Sequence, residues 1–468
     1  MRSASSFAAM CVFVTSLVVP IAAIAQPEPA APPPAATPPI TAGTQPQPDA
    51  EPAAPAVPAG TPGNVVFNGE HVSLRTADGL FQLSPIGYLN TNYTVYDGNG
   101  TPPDGFALKR ARFGFQGGLG KEIEYTLVSD VVANGISVRD AYVQFKPFRA
   151  LQLRIGQFKE PFSQEVATVD TNVEFFDRSL VSVLYPSATG SFRSPGAMIL
   201  GRAGDGLLDY WVGAFNGRGI LAPASSNWPE IVGRLRVSPL RWTGVPAIKH
   251  FSIGGSFSLS RSAAIAKDQS FSGLINDGAY TFFPTFPING PVQRFGAELL
   301  WLAGPFGLRG EYVQLHQARE DVGSGSVGGA GFETFPTIAA QGAYGQLSCF
   351  LTGESEDEYA PPKVRHPVLG PDTPGYGASR GVGAIQLAAR VSWLYAKAPG
   401  QTYATFTPTS VPEYKNYTDQ LTVGVNWYLN YWTLYKLDLD IDQLRQPSVE
   451  GFLPQNYYVV IQQIQFRF

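Results

Sequence analysis

The chain is poor in the residues that carry redox, metal and helical-membrane chemistry. Its 468 residues include 2 cysteines, 3 methionines and 4 histidines. Two cysteines cannot frame a disulfide scaffold. Cys11 falls in the leader described below, which leaves Cys349. His71, His250, His316 and His366 are scattered without ligand-like spacing, so neither a metal nor a cofactor is expected. No glycine-rich phosphate loop or nucleophile elbow occurs, and the chain reads as a non-enzyme. Lysine and arginine number 33 against 37 acids, net −4, which offers no basic excess for nucleic acid. Beyond the first 25 residues no apolar run is long enough to cross a bilayer as a helix. Long helices tolerate neither glycine nor proline well, so with 50 glycines and 40 prolines an all-helical protein is not expected. Aromatic residues, by contrast, make up 12% of the chain, and what remains is a large β protein.

Residues 1–25 have the form of a secretory signal peptide. Arg2 supplies the positive charge, Phe7 to Ile24 the apolar core, and Ala23-Ile24-Ala25 the small-residue cleavage site. Residues 26–63 are almost all Pro, Ala, Thr, Gly and Gln. Such a segment has too little apolar surface to offset its ordering entropy, so it is expected to be a disordered spacer that could reach on the order of 100 Å. The third unit is 64–468.

From residue 82 onward the pattern is period-two alternation. Leu421, Val423, Val425, Trp427 and Leu429 alternate with Thr422, Gly424, Asn426 and Tyr428; Ile385, Leu387, Ala389, Val391 and Trp393 alternate with Gln386, Ala388, Arg390 and Ser392. Sixteen such segments are predicted, near 82–96, 106–117, 121–133, 137–146, 149–158, 193–203, 205–217, 229–239, 248–260, 292–304, 306–317, 341–353, 384–397, 418–430, 431–445 and 456–468. Their length suits tilted strands crossing a bilayer, and an even number closes a barrel without a free edge. The fold class expected is therefore all-β: a 16-stranded antiparallel transmembrane β-barrel with inward-folded loops, preceded by the Pro/Ala-rich segment.

The connections support this independently. Short ones fall at Gly117–Gly120, Pro147–Phe148, Gly204, Gly304–Pro305 and Asn430; long ones at 97–105, 159–192, 261–291 and 318–340 have the opposite parity. That asymmetry matches periplasmic turns and extracellular loops. The stretch 354–383 breaks it, being long on the short-turn side, and is expected to fold into the pore from below. Phe468 ends the last segment, on one stripe with Phe466, Ile464, Val460 and Tyr458. This resembles the signal read by the outer-membrane assembly machinery.

Several blocks carry a family resemblance. They are Lys109-Arg110-Ala111-Arg112-Phe113-Gly114, Arg139-Asp140-Ala141-Tyr142-Val143, Gly156-Gln157-Phe158-Lys159-Glu160-Pro161-Phe162 and Glu174-Phe175-Phe176-Asp177-Arg178-Ser179-Leu180. Phe350 to Ser355, Leu387 to Arg390 and Gly424 to Asn430 continue the series. In these blocks and their order the chain resembles the phosphate-selective porins O and P of Gram-negative outer membranes. The resemblance implies a homotrimeric channel, seated in outer-membrane lipid, whose inward-folded loops narrow the lumen. In the family's best-known members, arginines and lysines pass phosphate or polyphosphate inward.

By the alternation, inward bases include Arg110, Arg112, Lys146, Arg154, Arg234, Arg236, Arg309, Arg390 and Arg467. Inward acids include Glu124, Asp130, Asp140, Glu298, Glu311, Asp438 and Asp440. The two sets nearly cancel, so position along the barrel must decide which meets the ion. Arg110 and Arg112 share a face, where two guanidiniums can each fork onto an oxyanion; Lys109 adjoins them in the block that resembles the family. Arginines in a porin wall can equally pair with wall carboxylates. Loop 159–192 is the expected constriction, with Asp177 and Arg178 either lining the narrowest point or tying the loop to the wall. Ten lysines against 23 arginines leave no lysine-rich entry funnel. The function expected is passive diffusion of small anions; the alternatives are a general or other small-solute porin, and a barrel anchor reaching into the envelope through the Pro-rich tail.

Overall fold

The computed structural model describes residues 65–468 apart from 68–71, 133–134, 188–191, 225–226, 263–269, 276–277, 324–331, 359, 370–380, 400–412 and 447–452. The expected leader and spacer lie outside the described residues. Two short strands, β1 (Val65–Phe67) and β2 (Val72–Arg75), precede the wall. The wall runs through β3 (Phe81–Asp97), β4 (Gly105–Leu119), β5 (Ile123–Val132), β6 (Gly135–Phe148), β7 (Leu151–Lys159), β8 (Arg193–Ala203), β9 (Leu208–Phe215), β10 (Glu230–Val237) and β11 (Phe251–Ser262). A hairpin follows, β12 (Ser270–Ile275) and β13 (Tyr280–Pro287). The wall then resumes with β14 (Gly290–Ala303), β15 (Phe306–Gly323), β16 (Phe332–Phe350), β17 (Ala384–Pro399), β18 (Glu413–Tyr428), β19 (Thr433–Arg445) and β20 (Gln455–Arg467).

Each wall strand pairs antiparallel with the next, and β20 pairs with β3 from Tyr458↔Asp97 to Arg467↔Tyr88, closing a 16-stranded barrel. All sixteen predicted segments correspond to wall strands. Burial follows the alternation in reverse of a soluble protein. Along β17 to β19, Leu421 and Val391 are 40% and 62% exposed, whereas Arg390 and Asp438 retain only 2% and 1%. Large apolar side chains outside and charged ones inside satisfy a bilayer, not water. Val425 lies on that outer stripe, so Val425→Arg should cost about 2–4 kcal/mol if it meets the hydrocarbon midplane. Unfolding in lipid vesicles with no loss of stability would argue against this placement.

The tight turns and long loops alternate broadly as expected, although the connection 238–250 is longer than its neighbours on the turn side. Three features lie beyond the alternation. The strand β2 continues along the β3 edge where β20 stops, with Leu74 opposite Leu83 and Arg75 opposite Gln82. Phe468 ends against β3, its amide donating to the Gly87 carbonyl at 2.9 Å; a side chain at Gly87 would collide with its ring. The hairpin β12–β13 folds inward, with Phe282, Phe283 and Phe286 at most 1% exposed. Tyr280 stacks on Tyr457 at 4.4 Å, and its hydroxyl lies 2.8 Å from Thr418 Oγ1.

Candidate functional site

The chain leaves β7 at Lys159 and crosses the lumen before returning as β8. Ser163 caps a single turn of helix, α1 (Gln164–Ala167), its hydroxyl accepting from the Val166 amide at 3.2 Å. A 3-10 turn, Leu180–Leu184, packs on the far wall. Phe162, Val166, Phe176, Leu180, Val181, Leu184 and Tyr185 are buried together, so apolar packing carries the crossing. Side chains of four wall strands then grip its backbone. Gln465 donates to the Thr171 carbonyl at 3.1 Å, Asn426 to that of Glu174 at 2.8 Å, and Arg390 to that of Asp177 at 3.1 Å. Asp438 accepts from the Phe176 amide at 2.6 Å, and Lys436 donates to the Val173 carbonyl. Phe175 can approach the wall because Gly424 lies beneath it, where a Cβ would sit 3.0 Å from the ring.

Beside the loop the described residues enclose a small acid-lined pocket at Glu165, Glu174 and Asp177 and two roomy chambers. One, of about 400 Å³, is lined by Lys109, Arg110, Asp177, Arg178, Leu180 and Ile275 among others. It lies toward the extracellular ends of the strands, since β4 begins at that end. The other, of about 620 Å³, reaches Tyr431 and Phe468 near the periplasmic turns. Its lining contains six bases, Arg112, Arg154, Lys159, Arg193, Arg234 and Arg467, against three acids, Asp140, Glu160 and Asp170. The outer chamber likewise has three bases against Asp177.

Asp170, on the lining of the inner chamber, joins the loop to the wall. Its carboxylate accepts from Arg178 at 2.6 Å, Lys159 at 3.3 Å and Tyr88 at 3.3 Å, and it also pairs with Arg112. Burial by itself would raise this carboxyl; the charges of Lys159, Arg112 and Arg178 outweigh it and hold the group well below the usual carboxylate range. The insert 351–383 supplies the second constraint. Glu356 accepts from Ser348 at 2.6 Å and Gln386 at 2.7 Å, while Glu358 pairs with Arg236 and Pro361 lines the inner chamber. Of the stretch 354–383, expected to enter the pore from below, Glu356, Glu358 and Pro361 do so, and 359 and 370–380 lie outside the described residues.

Burial and the neighbouring Glu174 push the Glu356 carboxyl up to about 7. A raised value means that the folded insert is favoured while Glu356 is protonated, and that this advantage is lost as pH rises towards neutrality and beyond. The insert should therefore grip more tightly near about pH 5.5 than near about pH 8. Single-channel current should rise across that interval in the native protein and stay flat in Glu356→Gln. An equal rise in the variant would remove Glu356 from the account.

The ten bases singled out in the sequence have different fates: Lys146 pairs with Glu124 and Arg467 donates to the Tyr431 carbonyl at 2.6 Å. Arg112 pairs with Asp130 at 2.8 Å; Arg234 forks onto Glu298 at 2.8 and 2.9 Å; Arg236 pairs with Asp209 at 2.7 Å; Arg309 pairs with Glu174 at 2.8 Å. Arg390 lies 3.6 Å from Glu165 and over the Phe175 ring. Arg110 makes no ion pair among the described residues, and Arg154 donates to the neutral Gln144 at 2.7 Å while stacking on Tyr142 at 4.3 Å. Lys109 sits over the Phe176 ring at 5.2 Å. A strict period of two would point Lys109 at lipid. The ladder slips there, with Asn90 opposite Arg110 but Thr91 opposite Leu108, and this bulge turns both Lys109 and Arg110 inward. The same device turns Arg139 toward Asp130, at 3.3 Å.

Asp177 and Arg178 do the work of attachment through their carbonyls, which accept from Arg390, while the Arg178 guanidinium reaches Asp170 and faces the outer chamber. The residues missed by the alternation are Lys159, Asp170 and Arg193, the last forked onto Asp140 at 3.0 and 2.9 Å. They lie in or beside the loop, where no periodicity exists to read. The acids Asp438, Asp440 and Asp442 form a column on β19 but are at most 2% exposed, covered by Phe176 of the loop and Tyr280 of the hairpin.

Comparison with known proteins agrees with this architecture. Chains of similar fold include the in-vitro folded outer-membrane protein OmpT of Vibrio cholerae, at 10% identity and TM-score 0.50, covering 83% of this chain and 98% of that one. The outer-membrane channel DcaP of Acinetobacter baumannii is similar at 9% identity and TM-score 0.50, covering 84% and 99%. No curated protein matches the chain. Residues 88–441 match the phosphate-selective porin O and P family. A closed barrel with an apolar exterior, a charged lumen and an inward-folded loop is a porin channel of the Gram-negative outer membrane, and the chain belongs to the phosphate-selective porin O and P family.

Proposed function

We propose that the channel passes small anions by passive diffusion, in line with the phosphate or polyphosphate carried by family members. The observation that supports this most directly is the sorting of charge across the lumen: bases outnumber acids in the linings of the two roomy chambers, while the acidic column of β19 is covered by the loop and the inner hairpin. A fixed positive surplus beside a low-dielectric wall favours anion entry. The many lining arginines already engaged with carboxylates make each site shallow, which keeps exit fast. Homotrimeric assembly, export by the leader 1–25, a spacer role for 26–63 and recognition of Phe468 by the assembly machinery complete this reading.

The test is the reversal potential of purified channels in planar bilayers across a potassium chloride gradient. The sign for chloride preference is expected. A cation preference would overturn the proposal and leave a general small-solute porin.

A further inference from the structure

The inner chamber has more room and more apolar surface than a hydrated inorganic oxyanion needs. Its volume of about 620 Å³ falls in the range of small-molecule sites rather than single-ion sites. Aromatic rings underlie its guanidiniums. Arg154 lies 4.3 Å from the Tyr142 centroid and 5.4 Å from that of Phe158, and Arg234 lies 4.9 Å from that of Trp211. The charge supply is correspondingly restricted. Arg112, Arg193 and Arg234 are each held by a carboxylate and Lys159 by Asp170, whereas Arg154 donates to the neutral Gln144 and Arg467 to the Tyr431 carbonyl at 2.6 Å.

We propose that this chamber selects monoanionic aromatic carboxylates. The inference rests on the anion reading above and narrows it. The Arg154 guanidinium, set on aromatic rings, matches one carboxylate and can fork two donors onto it. A dianionic phosphate asks for several convergent free donors, which the neighbouring arginines have already committed to Asp130, Asp140 and Glu298. The aryl group meets what a phosphate leaves unused: the rings of Tyr142 and Trp211 and the side chain of Met198, all on the lining. Burial of that apolar surface, with the ring against an arginine face, adds affinity that acetate cannot obtain.

The experiment measures block of the chloride current in planar bilayers by sodium benzoate, sodium acetate and inorganic phosphate, added on the side of the periplasmic turns. Half-block by benzoate is expected at a concentration about tenfold below that of acetate or phosphate. In Arg154→Gln the benzoate advantage should vanish, and in Tyr142→Leu it should shrink; either variant suffices if the other does not assemble. Equal block by benzoate and acetate, or tighter block by phosphate, overturns the proposal while chloride preference stands. A channel that prefers potassium over chloride removes the anion reading itself, so the two failures are distinct.

Discussion

Replacing Asp170 by alanine should release the constriction loop, raising single-channel conductance and lowering the resistance of the folded barrel to denaturant. Three cations, Arg112, Lys159 and Arg178, converge on this one carboxylate at the inner chamber. Removing the shared acceptor leaves like charges facing one another in a confined site. Breaking a buried charge cluster by deleting one member typically costs about 3–5 kcal/mol. Asp170→Asn retains the shape and some hydrogen bonds and should fall between the native protein and the alanine variant. The same carboxyl predicts acid tolerance. Because its folded value is depressed, its contribution is present above the ordinary carboxylate value of about 3.9 and is lost only as pH falls through the lower folded value. In Glu356→Gln, where the pH response of the insert is removed, the loop should thus stay docked, with unchanged conductance, from neutrality down to about pH 4. Unchanged conductance in Asp170→Ala would mean that the packing of Phe162, Val181 and Tyr185 holds the loop without help from charge.

How much of this was legible beforehand depends on whether one local rule governs a segment. Along β17 and β18 each residue answers only to its side of the sheet, so alternation reads directly as lipid or lumen, and strand number and closure follow. Where two rules compete, the pattern fails. Phe282, Phe283 and Phe286 of the inner hairpin are buried whichever way they point, because the hairpin is enclosed by barrel and loops, so period two disappears. The bulges at Lys109 and Arg139 insert one residue and invert the register locally, which a strict period cannot anticipate. Pairing was the least legible feature. The candidate pair Arg110 and Arg112 is one feature in the sequence, yet a partner 58 residues away, Asp170, separates them into a free group and a structural one.

That separation makes the second prediction, the removal of positive charge from both chambers at once. Arg110→Ala with Arg154→Ala should strongly reduce or abolish anion preference in the reversal potential, with little loss of folded yield. Neither guanidinium makes an ion pair among the described residues, and each faces a different chamber, so an ion crossing the lumen meets both in succession. Deleting an unpaired lumen charge exposes no buried counter-charge, so the cost in stability is small. Arg112→Ala should do the opposite. It leaves Asp130 and Asp170 buried without a principal partner, so stability falls, while the acids thereby uncovered reduce preference only as far as the loop shifts. Comparing the two variants separates charge that an ion feels from charge that the wall consumes. If Arg112→Ala lowered chloride preference at native stability and the double variant left it intact, the ion path would follow the Asp130 side of the loop, and the unpaired arginines would lie off it.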